Sequence, residues 1–548
     1  MAIFSFLGFT LLVAIVSYYA TRKTHENTSD GYFLGGRSLT AGVIAGSLLL
    51  TNLSTEQIVG LNGSAYTDGL SVMAWETLAA IAMVVTAVYL LPRYLKGGLT
   101  TVPQFLSKRF DVSTKTITSG LFLTGYVVVL LPVILYSGSV AISGMFNIPE
   151  MLNITNTQSL WLCIWGIGII GSIYAVFGGL KAVVVSDSIN AIGLLVGGLL
   201  IPFFGLVAIG DGSMMAGLDI LMTTNPERFK SMGSAEQEVP FSTIFTGMML
   251  VQLFYWGTNQ QIIQRALGAK NLAEGQKGLL LASFLKILGP LILVLPGIIA
   301  YHHFEGGLAS SDLAYPELVR AVLPKHLVGF FAAVLFGAIL SSFNSVLNSS
   351  VTLFGIDIYK QHINKDADEQ TIVKYGKRFG VLLAISAMFI APLIANAGSL
   401  FAYLQEVNGI YSIPIFTIIV VGYTTKRVPA IAAKIGVISG SLLYILSQFI
   451  LKPRFIESAV EKAQDSGITD AAALRLVEID AYPHFLHVMA ILFVLNILIM
   501  LLIGKIRPRE EDYVLEYTKQ VDIEPWKHTK VVGLIVVSTV VFIYVCFR

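Results

Sequence analysis

The chain has 548 residues, of which 55% are hydrophobic and only 13% charged, and it carries a net charge of +2. Soluble globular domains carry about 25% charged residues, so composition excludes one, and a balance this close to neutral offers nothing to a nucleic acid. Cys163 and Cys546 both sit in apolar runs, which argues against a disulfide framework.

About fourteen apolar segments reach the roughly 20 residues that a helix needs to cross a bilayer. They lie at 3–20, 40–67, 70–94, 116–146, 158–177, 183–209, 241–267, 276–302, 327–359, 374–396, 399–424, 429–451, 484–504 and 529–547. Unbroken runs of this length argue for an all-α integral membrane protein; barrel strands alternate over about ten residues. The first run has no cation before it and is longer than a secretory leader's core, so it reads as a retained span.

The connections alternate in charge. About 26 of the 36 Lys and Arg fall in one set of loops, among them Arg22, Lys23, Arg37, Arg109, Lys115, Lys181, Arg265, Lys377 and Lys426. The positive-inside rule puts that set in the cytoplasm and both termini outside. Two long outer connections, 210–240 and 453–483, have room for small helices, and Thr101–Arg109 reads as an amphipathic cytoplasmic segment. No repeat is visible by identity, which does not exclude inverted structural repeats.

One stretch is wrong for lipid. Between Ala45 and Tyr66, the residues Thr51, Asn52, Ser54, Thr55, Glu56 and Gln57 occupy the middle of an apolar span. Polar backbone and side chains at membrane depth persist only against protein or a water-filled cavity. A broken helix lining a transport site fits this pattern. The other ionisable residues within spans are Glu76, Asp187, Lys286 and Glu406. A lone charge at the bilayer centre costs at least about 3 kcal/mol, so these residues call for partners or a wet cavity; otherwise they lie at helix ends and snorkel.

Amides and aromatics cluster in the same segments: Gln57, Trp75, Tyr126, Gln252, Tyr255, Trp256, Asn259, Gln260 and Gln405. Carboxamides both donate and accept, carboxylates accept and lysine donates, which is the mix a polyol needs. The plainer reading is interfacial aromatics and amides that tie helices together. A second group, Ser341, Ser342, Asn344, Ser345 and Asn348, offers oxygens to a hard cation, with free carbonyls of a broken helix such as Leu50 and Leu53. Small-residue helix packing explains those serines equally. Enzymatic readings find no support. The chain has no Gly-x-x-x-x-Gly-Lys-Ser/Thr loop, His-Glu-x-x-His or Cys-x-x-Cys.

Gly31-Tyr32-Phe33-Leu34-Gly35-Gly36-Arg37-Ser38-Leu39 and Tyr174-Ala175-Val176-Phe177-Gly178-Gly179-Leu180-Lys181-Ala182 resemble two signatures of the sodium:solute symporter family. Asn52-Leu53-Ser54-Thr55-Glu56-Gln57 and Tyr255-Trp256-Gly257-Thr258-Asn259-Gln260 resemble its sodium/glucose cotransporter branch. The resemblance covers essentially the whole chain.

It implies a five-plus-five inverted-repeat core of the leucine-transporter kind over 40–425, with the first and sixth core helices broken. Residues 1–39 and 426–548 would flank that core. It implies a solute site of Gln57, Glu76, Tyr126, Gln252, Tyr255, Trp256, Lys286 and Gln405, with Tyr255 as inner gate. It implies a sodium site of Leu50, Leu53 and Ala338 carbonyls and Ser341 and Ser342 hydroxyls, with Asp187 on the sodium exit path. Gln252, Leu130, Asn190 and Asn344 depart from the branch's usual residues.

The expected function is sodium-coupled import of a monosaccharide such as glucose or galactose across a bacterial inner membrane. The transport unit would be a monomer, alone or paired as a homodimer. The alternatives are a sodium symporter for myo-inositol, a sugar acid or an amino acid, and a sensor or channel on the same fold.

Overall fold

The computed structural model describes residues 33–308, 310–396 and 400–548, with a few isolated positions before residue 33. The expected first span, Arg22 and Lys23, and the start of the Gly31–Leu39 motif therefore lie outside the described residues. Among the described residues every regular element is helical, and one isolated bridge joins Leu39 to Ala269. Nine helices among the described residues are long and apolar enough to cross a membrane. A tenth is the pair Leu272–Ile287 and Gly289–His303, bent by 48°. This count leaves out the expected first span, which lies outside the described residues; within them adjacent spans run together, as in Thr55–Lys96, and broken spans divide into pieces too short to count.

The first described span breaks where its polar residues predict. Helix α1 (Ala41–Asn52) stops, Leu53 turns to ψ 57°, Ser54 is extended, and α2 (Thr55–Asp68) begins. Asn and Ser compete with the backbone for hydrogen bonds, so they suit helix ends better than interiors. A tight turn at Gly69 (φ 76°) then leads to α3 (Ala74–Val85). A Cβ at Gly69 would lie 2.5 Å from the Arg228 carbonyl oxygen.

Next come α4 (Val112–Gly125) and α5 (Leu131–Phe146), one span joined through Tyr126–Leu130, where the winding widens to i→i+5 bonding. The same widening occurs at Thr86–Leu90 and Leu446–Leu451. Each of these three turns precedes a proline, Pro132, Pro92 or Pro453, whereas a longer widened stretch at Leu353–Ile363 has none after it. Proline lacks the N–H and crowds the carbonyl four residues back, and a wider turn accommodates both.

Helix α6 (Asn156–Ile209) is a single helical element where two spans, 158–177 and 183–209, were expected with a loop at Gly178-Gly179. A glycine costs about 1 kcal/mol in a helix, which weakens it without ending it. The second interruption divides α7 (Gly247–Gly257) from α8 (Gln260–Leu267) at Thr258 and Asn259.

Helices α9 (Leu272–Ile287), α10 (Gly289–Leu293) and α11 (Leu295–His303) form the bent span. Then follow α12 (Lys325–Thr352), α13 (Glu369–Ile390), α14 (Leu400–Thr424), α15 (Ala430–Ile445), α16 (Phe485–Ile506) and α17 (Thr529–Cys546). Small helices occupy both long connections, at Met214–Thr224, Lys452–Asp465 and Ala471–Asp480.

Around the breaks, α1 packs on α6 and α9, α2 on α11, and α3 on α7. Pro296 cannot donate to the Ile292 carbonyl, and Asn62 of α2 does so instead at 3.2 Å. The Gly297 N–H returns a bond to Asn62 Oδ1 at 2.9 Å.

Three cations assigned to solvated cytoplasmic loops are in fact buried: Arg109, Lys115 and Arg265. Arg109 donates to the carbonyls of Gly422, Val428 and Thr425 at 2.9–3.0 Å, where α14 leaves carbonyls without helical donors. Lys115 pairs with Asp357 at 3.5 Å. A sequence tally counts every loop cation alike, whereas a guanidinium is well suited to closing a carbonyl-rich helix end.

A Cβ at Gly297 would collide with the Asn62 backbone carbonyl, whereas one at Gly42 meets nothing. Gly297→Ala should therefore lower stability by about 1–3 kcal/mol through overpacking. Gly42→Ala should be neutral or raise it by up to about 1 kcal/mol. Thermal unfolding of the two variants in detergent checks the contrast.

Candidate functional site

The breaks in the two interrupted helices meet. Asn52, the last residue of α1, donates from Nδ2 to the Tyr255 hydroxyl of α7 at 3.4 Å. Its Oδ1 accepts from the Lys286 ammonium, which also bonds Glu76. Lys286 Nζ lies 5.7 Å from the Trp256 ring centre, within cation–π range. Glu76 and Lys286 are each 1% exposed, so the pair is fully desolvated. Lys286 sits at the end of α9, where Pro290 cannot donate to its carbonyl and the span bends. Gln252 donates to the Trp75 carbonyl at 2.9 Å and accepts from Trp256 Nε1 at 3.2 Å.

Beside this network lies a cavity of about 50 Å³. Of the expected solute residues, Gln57, Gln252, Tyr255, Trp256 and Gln405 line it, as does Asn52. Glu76 and Lys286 stand outside its wall, behind Asn52 and Trp256, as a charge pair. Tyr126 does not reach it. Its hydroxyl donates to Asn259 Oδ1 at 2.6 Å and accepts from the Gln261 N–H at 3.2 Å, which fastens the second break. At about 50 Å³ the cavity takes a few waters and no sugar.

The sodium candidates lie across from the end of α1. Ser54 donates its N–H to the Asn52 carbonyl at 2.7 Å, so the Leu50 carbonyl loses the donor a continued helix would supply. Ser342 Oγ on α12 donates to the Thr51 carbonyl at 3.3 Å, which joins the two helices here. Ala338 and Ser341 lie on the same helix within one turn of it. Ser341 Oγ and Asp187 Oδ1 are buried beside each other, with no hydrogen bond of good geometry to either atom among the described residues. Unsatisfied oxygens of this kind are what a hard cation takes. They, the free Leu50 carbonyl and the Leu53 carbonyl beside it form a fitting donor set.

Sequence reasoning missed Arg265. It is fully buried and donates to Ser47 Oγ at 3.0 Å, to the Gln261 carbonyl and to Ser345 Oγ. Its guanidinium lies 3.9 Å from Asp187 Oδ2, the same oxygen that accepts from Ser47 at 2.8 Å. The signal was its place four residues after Gln261, inside the second half of a broken helix. Proximity to Lys270 and Lys277 hid it among loop cations.

Above α2 a larger hollow of about 490 Å³ is lined by Ser64, Asp68, Glu238, Glu406, Lys452 and Arg475 among others. Glu406 pairs there with Lys452 at 2.7 Å, which explains a carboxylate next to Gln405. Burial, with Asp68 and Asp312 nearby, pushes the Glu238 carboxyl up to about 7, which the Ser64 side chain beside it offsets only in part.

The sodium:solute symporter family model matches residues 32–440. The chain is 45% identical to an uncharacterised symporter, YidK, of Escherichia coli strain K12, over 99% of this chain and 90% of that one. It is 33% identical to a sodium/glucose cotransporter of Vibrio parahaemolyticus, covering 81% and 84% of the two chains. It is 30% identical to the human sodium/myo-inositol cotransporter 2, covering 81% and 70%.

Among solved structures, a Na⁺-coupled sialic acid symporter in a substrate-bound outward-open state superposes with a TM-score of 0.68 at 18% identity, over 91% of this chain and 98% of the other. A nucleobase-cation-symport-1 family transporter in a closed conformation gives 0.53 at 14% identity, over 87% and 95%. At these identities the likeness is one of fold.

Lys286→Met would leave the Glu76 carboxylate buried without its cation, at a cost of about 3–5 kcal/mol. The double variant Glu76→Gln/Lys286→Met should recover more than half of that loss. Unfolding of the single and double variants in detergent measures it; equal loss in both would show that the pair is not coupled.

Proposed function

Because this chain belongs to the sodium:solute symporter family, we propose that the inward sodium gradient drives it to import a small neutral polyol. A monosaccharide of the glucose or galactose kind fits best. The observation that carries the reading is the cavity between the two breaks, where Gln57, Gln252 and Gln405 converge with Tyr255 and Trp256. Three carboxamides give and take hydrogen bonds as ring hydroxyls require. The two aromatic rings suit the apolar face of a sugar. The names of the glucose and myo-inositol relatives point the same way.

The coupling ion is sodium, as the family's name states. In this reading it lies between the Leu50, Leu53 and Ala338 carbonyls and the Ser341 and Ser342 hydroxyls. An ion there draws the end of α1 onto α12. That end carries Asn52, which holds Lys286 and the Tyr255 hydroxyl, so ion and solute act on one hinge. Sodium favours the outward-open state, and the solute then closes the outer side. Sodium leaving past Asp187 frees Tyr255 as the inner gate. Each ligand needs only to bind one conformation better than the other.

Residues 40–425 would form the five-plus-five transport core, with 1–39 and 426–548 outside it. The unit works as a monomer in a bacterial inner membrane with both termini outside.

The test is uptake of labelled glucose, galactose and myo-inositol into proteoliposomes with and without a sodium gradient; sodium-independent uptake would refute the coupling. Gln405→Ala should raise the solute KM at least about tenfold, the equivalent of about 1.4 kcal/mol, with little change in sodium half-saturation. Ser342→Ala should do the reverse. Two variants that both behave like wild type would remove the site assignment.

A further inference from the structure

Glu56 is an acid that neither the Lys286 network nor the sodium donors use. It is the second residue of α2 and only 6% exposed. It forms part of the cavity wall beside Gln57, Tyr255 and Gln405. Ser54, which precedes α2, lies beside the carboxyl group. Even so, Oε2 is buried with no partner among the described residues. The first turn of a helix is the positive end of its dipole, which favours a carboxylate there.

No Lys or Arg lines the cavity among the described residues. The two buried cations nearby are turned elsewhere. Lys286 is held by Glu76 and Asn52. Arg265 is held by Ser47, Gln261 and Ser345, beside Asp187. Once Glu76 is matched with Lys286 and Asp187 with Arg265, Glu56 remains as one negative group facing the cavity without a counter-charge.

We infer that Glu56 is the charge filter of this cavity: it accepts hydroxyl hydrogens from a neutral solute and turns away a solute that carries a carboxylate. The inference rests on the cavity being the solute site. An ionised carboxylate has acceptor sites and no donor. A ring hydroxyl supplies the missing hydrogen and satisfies Oε2. A carboxylate on the solute supplies none and meets a like charge where water is scarce, so the repulsion is several times stronger than in bulk solvent. This separates a sugar from the corresponding sugar acid, two solutes of nearly equal size that the carboxamides alone would accept.

The experiment uses the full chain in proteoliposomes under a sodium gradient. Glucose, galactose and myo-inositol are the neutral probes and glucuronate is the anionic one, each tested for uptake and as a competitor. Wild type should take at least one neutral probe and bind glucuronate at least about tenfold more weakly. Glu56→Gln keeps the shape, removes the charge and adds an N–H donor. It should narrow that ratio at least about tenfold, whereas Glu56→Asp keeps the discrimination. A sodium-dependent thermal shift identifies which variants are folded. Should Glu56→Gln not fold, Glu56→Ala must narrow the ratio in its place.

An unchanged ratio in a folded uncharged variant overturns the inference, as does wild-type uptake of glucuronate on a par with the neutral probes. Wild type that takes none of the neutral probes overturns the sugar reading itself, and the wild-type arm alone reveals that outcome.

Discussion

Inside a bilayer the backbone has no water to turn to, so every N–H and C=O must find a partner within the protein. This chain leaves the helix in mid-membrane at Leu53-Ser54, at Thr258-Asn259 and at the bend after Ile287. Each departure frees polar groups, and the packing around it answers most of them with side chains. Asn62 replaces the donor that Pro296 removes. Tyr126 and Asn259 take the Gln261 N–H. Ser342 reaches the Thr51 carbonyl. Among the described residues, Ser341 Oγ, Asp187 Oδ1 and Glu56 Oε2 are left unanswered, on or across from the first break. The rest of the fold can be understood as the scaffold that keeps these gaps open and apart from lipid.

Charge is handled in the same way. Glu76 with Lys286 and Asp187 with Arg265 each join a broken helix, or its near neighbour, to an unbroken partner. A buried pair gains little net stability, because desolvation consumes most of the attraction. Its effect is geometric. Lys286 must stay near both Glu76 and Asn52, and this fixes α3, α9 and the end of α1 relative to one another. Arg265 does the same for α8, α1 and α12 through Ser47 and Ser345. Such ties are costly to half-break and cheap to exchange whole, which suits a protein that alternates between packed states.

Much of this was legible in the residues. Thr51 to Gln57 and Thr258 to Gln260 are polar where lipid would demand apolar side chains, and both breaks lie there. The bent span was harder. Pro290 and Pro296 are its signal, yet 276–302 is so apolar that composition reads it as one plain crossing. Tyr126 fits a pocket by residue type and misses it by direction. Its hydroxyl is taken up instead at the second break, by Asn259 and Gln261. Arg265 and Arg109 are loop cations to any count of charges. Only tertiary packing shows that they close carbonyl ends and serine clusters from within.

The two ligand sites need no long-range pathway to communicate, because they share a residue's width of backbone. Leu50 and Leu53 face the sodium donors in the proposed reading, and Asn52 between them already touches Lys286 and Tyr255. A cation that pulls on one carbonyl of an unwound segment must rotate its neighbours, since only φ and ψ are soft there. A continuous helix would resist that rotation with its own hydrogen bonds, and an ion beside it would bind without moving anything. In the proposed reading the break would both create the oxygens that hold sodium and make the solute cavity feel its arrival.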